Sequence, residues 1–208
     1  MCIRDRGRHV NREHVLEALS SACSPNTEEG NVGAGTGMTG FGWKGGIGTS
    51  SRTCIINDKK YTLGVMTLTN TGDPREFRIS GTKIGKSLQP PLDKFDPTKA
   101  GGSIMMVVAT NAPIDSRQLT RVGKRAALGL ARAGGIADHS SGDFIIAFSN
   151  STNRPILDDT ALTPLFRGAV EATDEAIVNS VLRADTLTGR DGNTRHGIPI
   201  DEVKRLIN

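Results

Sequence analysis

The residues able to do chemistry in this chain are few, and most stand at no recognised spacing. The four histidines, His9, His14, His139 and His196, form no HExxH pair and no other ligand spacing, so no metal is expected. The three cysteines, Cys2, Cys23 and Cys54, form no CxxC and no zinc-ligand pair, which points to a reduced compartment or to indifference to redox. GTGMTG, with Gly35, Gly37 and Gly40, has the spacing of a dinucleotide fingerprint, but more glycines follow where a helix should. The SGTK from Ser80 to Lys83 matches an SxxK motif, yet Gly81 argues against the helix that motif needs. No GxSxG elbow is present either. What remains is Ser103, set in KAGGSIMMVVATNAPI between a Gly-Gly pair and the apolar run 104–109.

By its surroundings alone Ser103 is an ordinary serine at the start of a strand. A hydrolase built on it would need a nucleophile activated without a histidine, and an N-terminal serine whose own α-amine is the base does that. A free α-amine has a pKa of about 7.7–8.0, so near neutral pH a useful fraction can take the hydroxyl proton. Cleavage of the bond between Gly102 and Ser103 would create that amine. Glycine at position 102 suits such a cut, because it leaves the backbone free to bring the hydroxyl onto its own upstream carbonyl.

The elements that must hold this serine can be read on either side of it. Asn11 is a good N-cap for a helix whose apolar stripe is Val15, Leu16 and Leu19. Nine glycines fall between Gly30 and Gly48, a density that means close backbone packing. SRTCIIND and KKYTLGVMTLTNTG read as two strands joined at Asn57-Asp58, the second ending at Asn70. The stretch 73–102 carries Pro74, Pro90, Pro91 and Pro97 with little periodicity, and reads as a long functional or mobile loop. Residues 104–110 read as a strand buried on both faces. A helix follows Pro113, Asp115 and Ser116, with Leu119, Val122, Ala126 and Leu130 inward, a basic solvated face outward and Gly134 at its end. SGDFIIAFSN is another apolar strand, entered through Ser141, Gly142 and Asp143. A long helix from about Pro164 and a short one from about Asp201 complete the chain.

The 208 residues suffice for one domain with a substantial core, and 36% hydrophobic with 23% charged residues fits an α/β composition. No apolar run approaches the roughly 18 residues of a membrane span, so no membrane partner is expected. A net charge of +4 permits nucleic-acid contact, but the basic residues are scattered and aromatics are scarce, so none is expected. MCIRDRGRHV lacks the apolar centre of a secretory signal, and a cytoplasmic setting is favoured. Residues 1–10 are expected to be foreign to the fold, with the chain beginning inside a longer protein.

Several long motifs in order, EEGNVGAGTGMTGFGWKGGIGTSSR, LGVMTLTNTG, GGSIMMVVATNAPI, KRAALGLARAGG, SGDFIIAFS and ADTLTGRDGNTRHGIPID, resemble the self-processing serine aminopeptidases, the family of L-aminopeptidase/D-esterase (DmpA) and β-peptidyl aminopeptidase. The resemblance runs from about Glu28 to the C-terminus. It implies an α+β fold, an αββα sandwich of the DmpA and ornithine acetyltransferase type that resembles the N-terminal nucleophile hydrolases. It implies a precursor cut between Gly102 and Ser103, with 11–102 closing an α chain and 103–208 forming the β chain of one domain. Ser103 would then be the nucleophile, Ser141 and Asp143 its positioning partners, and Asn70 the oxyanion donor. By residue type alone Ser141, Asp143 and Asn70 equally suit turns. The resemblance implies hydrolysis of short peptides, amides or esters with a free amino end, no cofactor, and a homo-oligomer of αβ units. An ornithine acetyltransferase-like acyl transfer is the rival enzymatic reading, though those enzymes expose a threonine. A binding module without activity is the rival of another class. Family members are longer at the N-terminus, and VMTLTN departs from their usual VLVQAN.

Overall fold

A computed structural model describes residues 9–23, 27–91, 102–152 and 156–208. Its centre is a four-stranded sheet of β3 (Ile47–Ile56), β4 (Lys59–Asn70), β5 (Ser103–Thr110) and β6 (Phe144–Ser149), side by side in that order. Short pairs precede and follow it: β1 (Thr39–Gly40) with β2 (Trp43–Lys44), and β7 (Leu187–Thr188) with β8 (Thr194–Arg195). The helices are α1 (Arg12–Ser20), α2 (Ser116–Ala133), α3 (Thr163–Leu182) and α4 (Ile200–Ile207). The arrangement is α+β, as the motifs imply.

The hairpin between β3 and β4 turns on Asn57 and Asp58 at φ 49° and 61°, the two left-handed residues of a tight turn whose twist suits the strands. β4 pairs antiparallel with β5, and β5 runs parallel to β6. A parallel neighbour cannot be reached by a tight turn, so α2 makes the crossover. Asp115 caps its start by accepting from the Gln118 N–H while the Gln118 side chain answers the Asp115 N–H, and Gly134 at φ 107° ends it.

Both long helices pack on one face of the sheet. Leu63, Val65, Ile104, Met106 and Val108 meet Val122 and Ala126 of α2 and Ala172, Ala176 and Ile177 of α3 in a single buried cluster. Small residues on α3 let it lie close to the strands. The expected burial of 104–110 on both faces is corrected here. Burial alternates along β5, and Met105 is 39% exposed. Phe144, Ile146 and Phe148 beside it are 60%, 54% and 46% exposed, so the described residues leave that face of β6 and the neighbouring part of β5 open. These described residues supply one helix layer and one principal sheet of the expected sandwich.

Two further expectations change. The stretch 73–102 is not an open loop where it is described: short helical turns at Pro74–Glu76 and Ile84–Lys86 carry Phe77, Ile79, Ile84 and Leu88 into the core. Turns of that kind have no long period for a sequence to display. The Asn11 cap is present, but α1 buries none of its residues. The SxxK reading fails as anticipated, since Ser80 and Gly81 sit in a left-handed turn at φ 51° and 80° and Lys83 pairs with Glu76 at 2.7 Å. The basic face of α2 is mostly occupied by local partners, with Arg117 and Arg121 on Asp159, Arg132 on Asp174 and Arg125 over the Phe166 ring.

Asp159 gathers both Arg117 nitrogens at 2.8 and 2.7 Å and the Gln118 amide at 2.8 Å, tying the start of α2 to the turn before α3. Those hydrogen bonds, Arg117's first, hold its carboxyl well below the usual range. A carboxyl more acidic in the folded state adds stability above its unfolded pKa, and that stability fades as pH falls toward the folded value. Asp159→Asn is therefore expected to lower the melting temperature at pH 7, with the gap to the parent narrowing below about pH 4, the ordinary aspartate range. A gap unchanged between pH 7 and pH 3 in thermal melts would contradict this.

Candidate active site

Ser103 is the first residue of β5 and stands directly opposite Asn70, the last residue of β4. On a pleated strand alternate residues share a face. Ser103 and Asn70 thus lie with Met105 and Met66 on the side of the sheet away from the helices. The register of one antiparallel pair accordingly brings two residues distant in sequence to the same end of the same face.

Gly102 has its own constraint. A Cβ there would collide with the Asn70 carbonyl oxygen and lie 2.8 Å from Thr71 Cα. Close approach of the neighbouring backbone therefore requires glycine at 102, while Gly101 lies outside the described residues.

The segment leading into β6 closes the site from the other side. The Gly142 N–H donates to Ser103 Oγ at 2.9 Å. Asp143 Oδ1 accepts from the Ile104 N–H at 3.0 Å and from Ser141 Oγ at 2.5 Å. Its other oxygen, Oδ2, is buried without a hydrogen-bond partner among the described residues. A buried carboxylate oxygen left in that condition is costly unless something donates to it. It lies on the residue that holds the amide next to Ser103.

Asn70 is fixed by its carbonyl end. Thr39 N–H, on β1, donates to Asn70 Oδ1 at 3.0 Å. An N–H can be satisfied only by the oxygen of the side-chain amide, so this bond sets which way the amide faces and leaves Nδ2 as its donor end. The glycine-rich segment provides the rigid bracket that carries Thr39: a Cβ on Gly45 would lie 2.6 Å from Gly40 N and 2.8 Å from the Thr69 carbonyl oxygen.

Of the residues singled out in sequence, Ser103, Gly102, Asn70 and Asp143 converge, and Ser141 joins through Asp143. Sequence reasoning passed over the Gly142 and Thr39 amides. Backbone donors have no side-chain signature, and only the glycine-rich context hinted at them. Among the described residues no group of three or more His, Cys, Asp and Glu is placed to hold a metal, and no helix is long and apolar enough to cross a membrane.

The site thus gathers a serine hydroxyl held by a backbone amide, a partly unpaired carboxylate and an oriented amide donor, groups that are chemically able to serve as a nucleophile, a charge partner and an oxyanion donor. Residues 2–195 match the family described as peptidase family S58. The chain is 40% identical over 223 residues to the β-peptidyl aminopeptidase BapA of Sphingosinicella xenopeptidilytica, covering 97% of this chain and 56% of that protein. It is 37% identical to the BapA of Sphingosinicella microcystinivorans, covering 97% and 57%. Among solved structures it is similar to the PH0078 protein of Pyrococcus horikoshii OT3, at 44% identity and TM-score 0.82 over 97% of this chain and 57% of that one. The L-aminopeptidase D-Ala-esterase/amidase of Ochrobactrum anthropi, described as a variant of the Ntn hydrolase fold, matches at 30% identity and TM-score 0.84 over 97% and 58%. The chain shares that fold, and it spans just over half the length of these relatives.

The tight seat of Gly102 generates a prediction. Gly102→Ala is expected to lift the end of β5 off β4 and to speed amide exchange at Ser103 and Ile104, measured by hydrogen–deuterium exchange, with Val107 and Val108 unchanged. Equal protection in both proteins would show that the site absorbs a methyl group.

Proposed function

The chain belongs to peptidase family S58, and from that premise we propose that it is a self-activating serine aminopeptidase, cut between Gly102 and Ser103 and acting on short peptides, amides or esters with a free amino end. The observation that carries the reading is the seat of Ser103, with its hydroxyl on the Gly142 N–H and the next amide on Asp143.

In the uncut chain the Ser103 hydroxyl attacks the Gly102 carbonyl carbon. The peptide C–N bond breaks, the proton passes to the departing amine, and an ester joins Gly102 to Ser103 Oγ. Water hydrolyses that ester, leaving a carboxylate on Gly102 and a free α-amine on Ser103. The fold suits this sequence of events, because the Ile104 N–H on Asp143 and the pairing of β5 between β4 and β6 hold the strand on the far side of the bond to be cut.

The same groups serve in turnover. The freed amine takes the Ser103 Oγ proton as Oγ attacks the substrate carbonyl. Asn70 Nδ2 donates to the developing oxyanion, a contribution typically worth about 2.7–4 kcal/mol. The unpaired Asp143 Oδ2 accepts from the transient ammonium, and Ser141 keeps the other carboxylate oxygen occupied. The amine then protonates the leaving group, and water releases the acyl chain by the reverse route. No step calls for a cofactor. The relatives' names, β-peptidyl aminopeptidase and L-aminopeptidase D-Ala-esterase/amidase, support a substrate with a free amino end. Assembly of the cut units into a homo-oligomer belongs to the same reading.

Mass spectrometry of the native polypeptide should show two chains parted before Ser103, and Ser103→Ala should leave one intact chain without release of p-nitroaniline from an aminoacyl anilide. An intact unmutated chain would overturn the reading, as would acetyl transfer from acetylornithine to glutamate in place of anilide hydrolysis. The rate in the cut enzyme is expected to fall on the acid side of about pH 7.7–8.0, where the α-amine becomes protonated and ceases to be a base. A rate independent of pH from 6 to 9 would remove the amine from that role.

A further inference from the structure

Lys44 is a lysine where lysines are rarely found: only 1% of it is exposed. Its ammonium lies inside the glycine-rich segment, with Nζ donating to the carbonyl oxygens of Gly35 at 2.9 Å, Met38 at 3.0 Å and Gly45 at 2.5 Å. Each of these three bonds sets the ammonium, which carries donors only, on a backbone carbonyl of the same segment.

One of those carbonyls matters beyond the loop. The Met38 carbonyl and the Thr39 N–H are two ends of one peptide group, and that group is planar. Its oxygen is held by Lys44, with the Gly45 N–H as a second donor at 3.1 Å. Its N–H is the one that holds Asn70 Oδ1 at 3.0 Å. A cation is thus joined through two amide groups in series to the side-chain nitrogen expected to meet the oxyanion. Hydrogen bonds linked in this way polarise one another in the same sense, and each makes the next donor stronger.

We propose that Lys44 is a positioning residue for the oxyanion donor: its buried charge fixes the Met38–Thr39 peptide plane and strengthens the Asn70 Nδ2 donor through it. This rests on Asn70 having the role given above. The Lys44 bonds given above run to backbone carbonyls and reach Asn70 only through the Met38–Thr39 peptide, so the effect proposed belongs to the transition state, where negative charge appears, rather than to ground-state binding.

The test is a double-mutant cycle in the cut enzyme, with kcat counted per cleaved chain. Lys44→Met is expected to lower kcat by about 10–100-fold, the lower part of the range for a lost oxyanion donor and below it, and to move KM less than about threefold. In an Asn70→Ala background the same change should cost less than about twofold, because the relay then ends on nothing. Equal losses in both backgrounds would reduce Lys44 to a structural residue and overturn the relay. A Lys44→Met enzyme with parental kcat, still dependent on Ser103, would overturn it too and leave the proposed function standing. Failure of Ser103→Ala to abolish activity would instead strike the function itself. Lys44→Gln, read by hydrogen–deuterium exchange, covers the case in which the Met variant does not fold or is not cleaved. Thr39 should lose at least about tenfold of its protection while Val65 and Val108 keep theirs, and an unchanged Thr39 amide would overturn the proposal.

Discussion

The antiparallel register of β4 on β5 is the constraint on which the rest depends. It places Asn70 opposite Ser103 and, by alternation, turns both away from the helices. A slip by one residue would turn the serine to the face that the helices cover and expose Ile104 and Met106. The apolar face of β5 therefore does more than fill the core. Each buried side chain on it is also a stake that keeps Ser103 on the face and at the height it shares with Asn70, and the helices that cover those side chains enforce the choice.

Around that register the site is built chiefly from main-chain amides. Gly142 addresses the hydroxyl and Thr39 orients the carboxamide, while the Ile104 amide is itself held by a carboxylate. Backbone donors on packed segments reorganise little when charge develops, which is the property the proposed oxyanion role of Asn70 would call on. The glycines of the segment between Gly30 and Gly46 allow such donors to come close, and a buried ammonium compensates for the carbonyls that the same close packing turns inward.

What could be read from sequence was local or repetitive. The Asn57-Asp58 turn, the Asn11 cap, the helix start at Pro113, Asp115 and Ser116 and the Gly134 stop each depend on neighbours within a few residues, so residue type alone reveals them. The double-sided burial expected for β5 failed because an unbroken apolar run is the same string whether or not a second layer covers it. Phe77, Ile79, Ile84 and Leu88 looked like loop because they reach the core from short turns without a period. Ser103 and its companions were legible only through the ordered motifs, since a serine after two glycines is ordinary by itself. Lys44 carried no signal at all: nothing in GFGWKGG distinguishes a lysine folded into the backbone from one in water.

The placement of β5 has a consequence for the protein as an object. The proposed cut falls at the first residue of a strand whose neighbours belong to different products, β4 to the piece before the cut and β6 to the piece after it. The two products would then share one sheet and one core, with no interface to part along. Separating them would mean unfolding both, so a protein made as one chain would acquire the thermodynamics of an obligate heterodimer. Its melting temperature would come to depend on its concentration, and unfolding that was a first-order process forward and back would become second-order on the return.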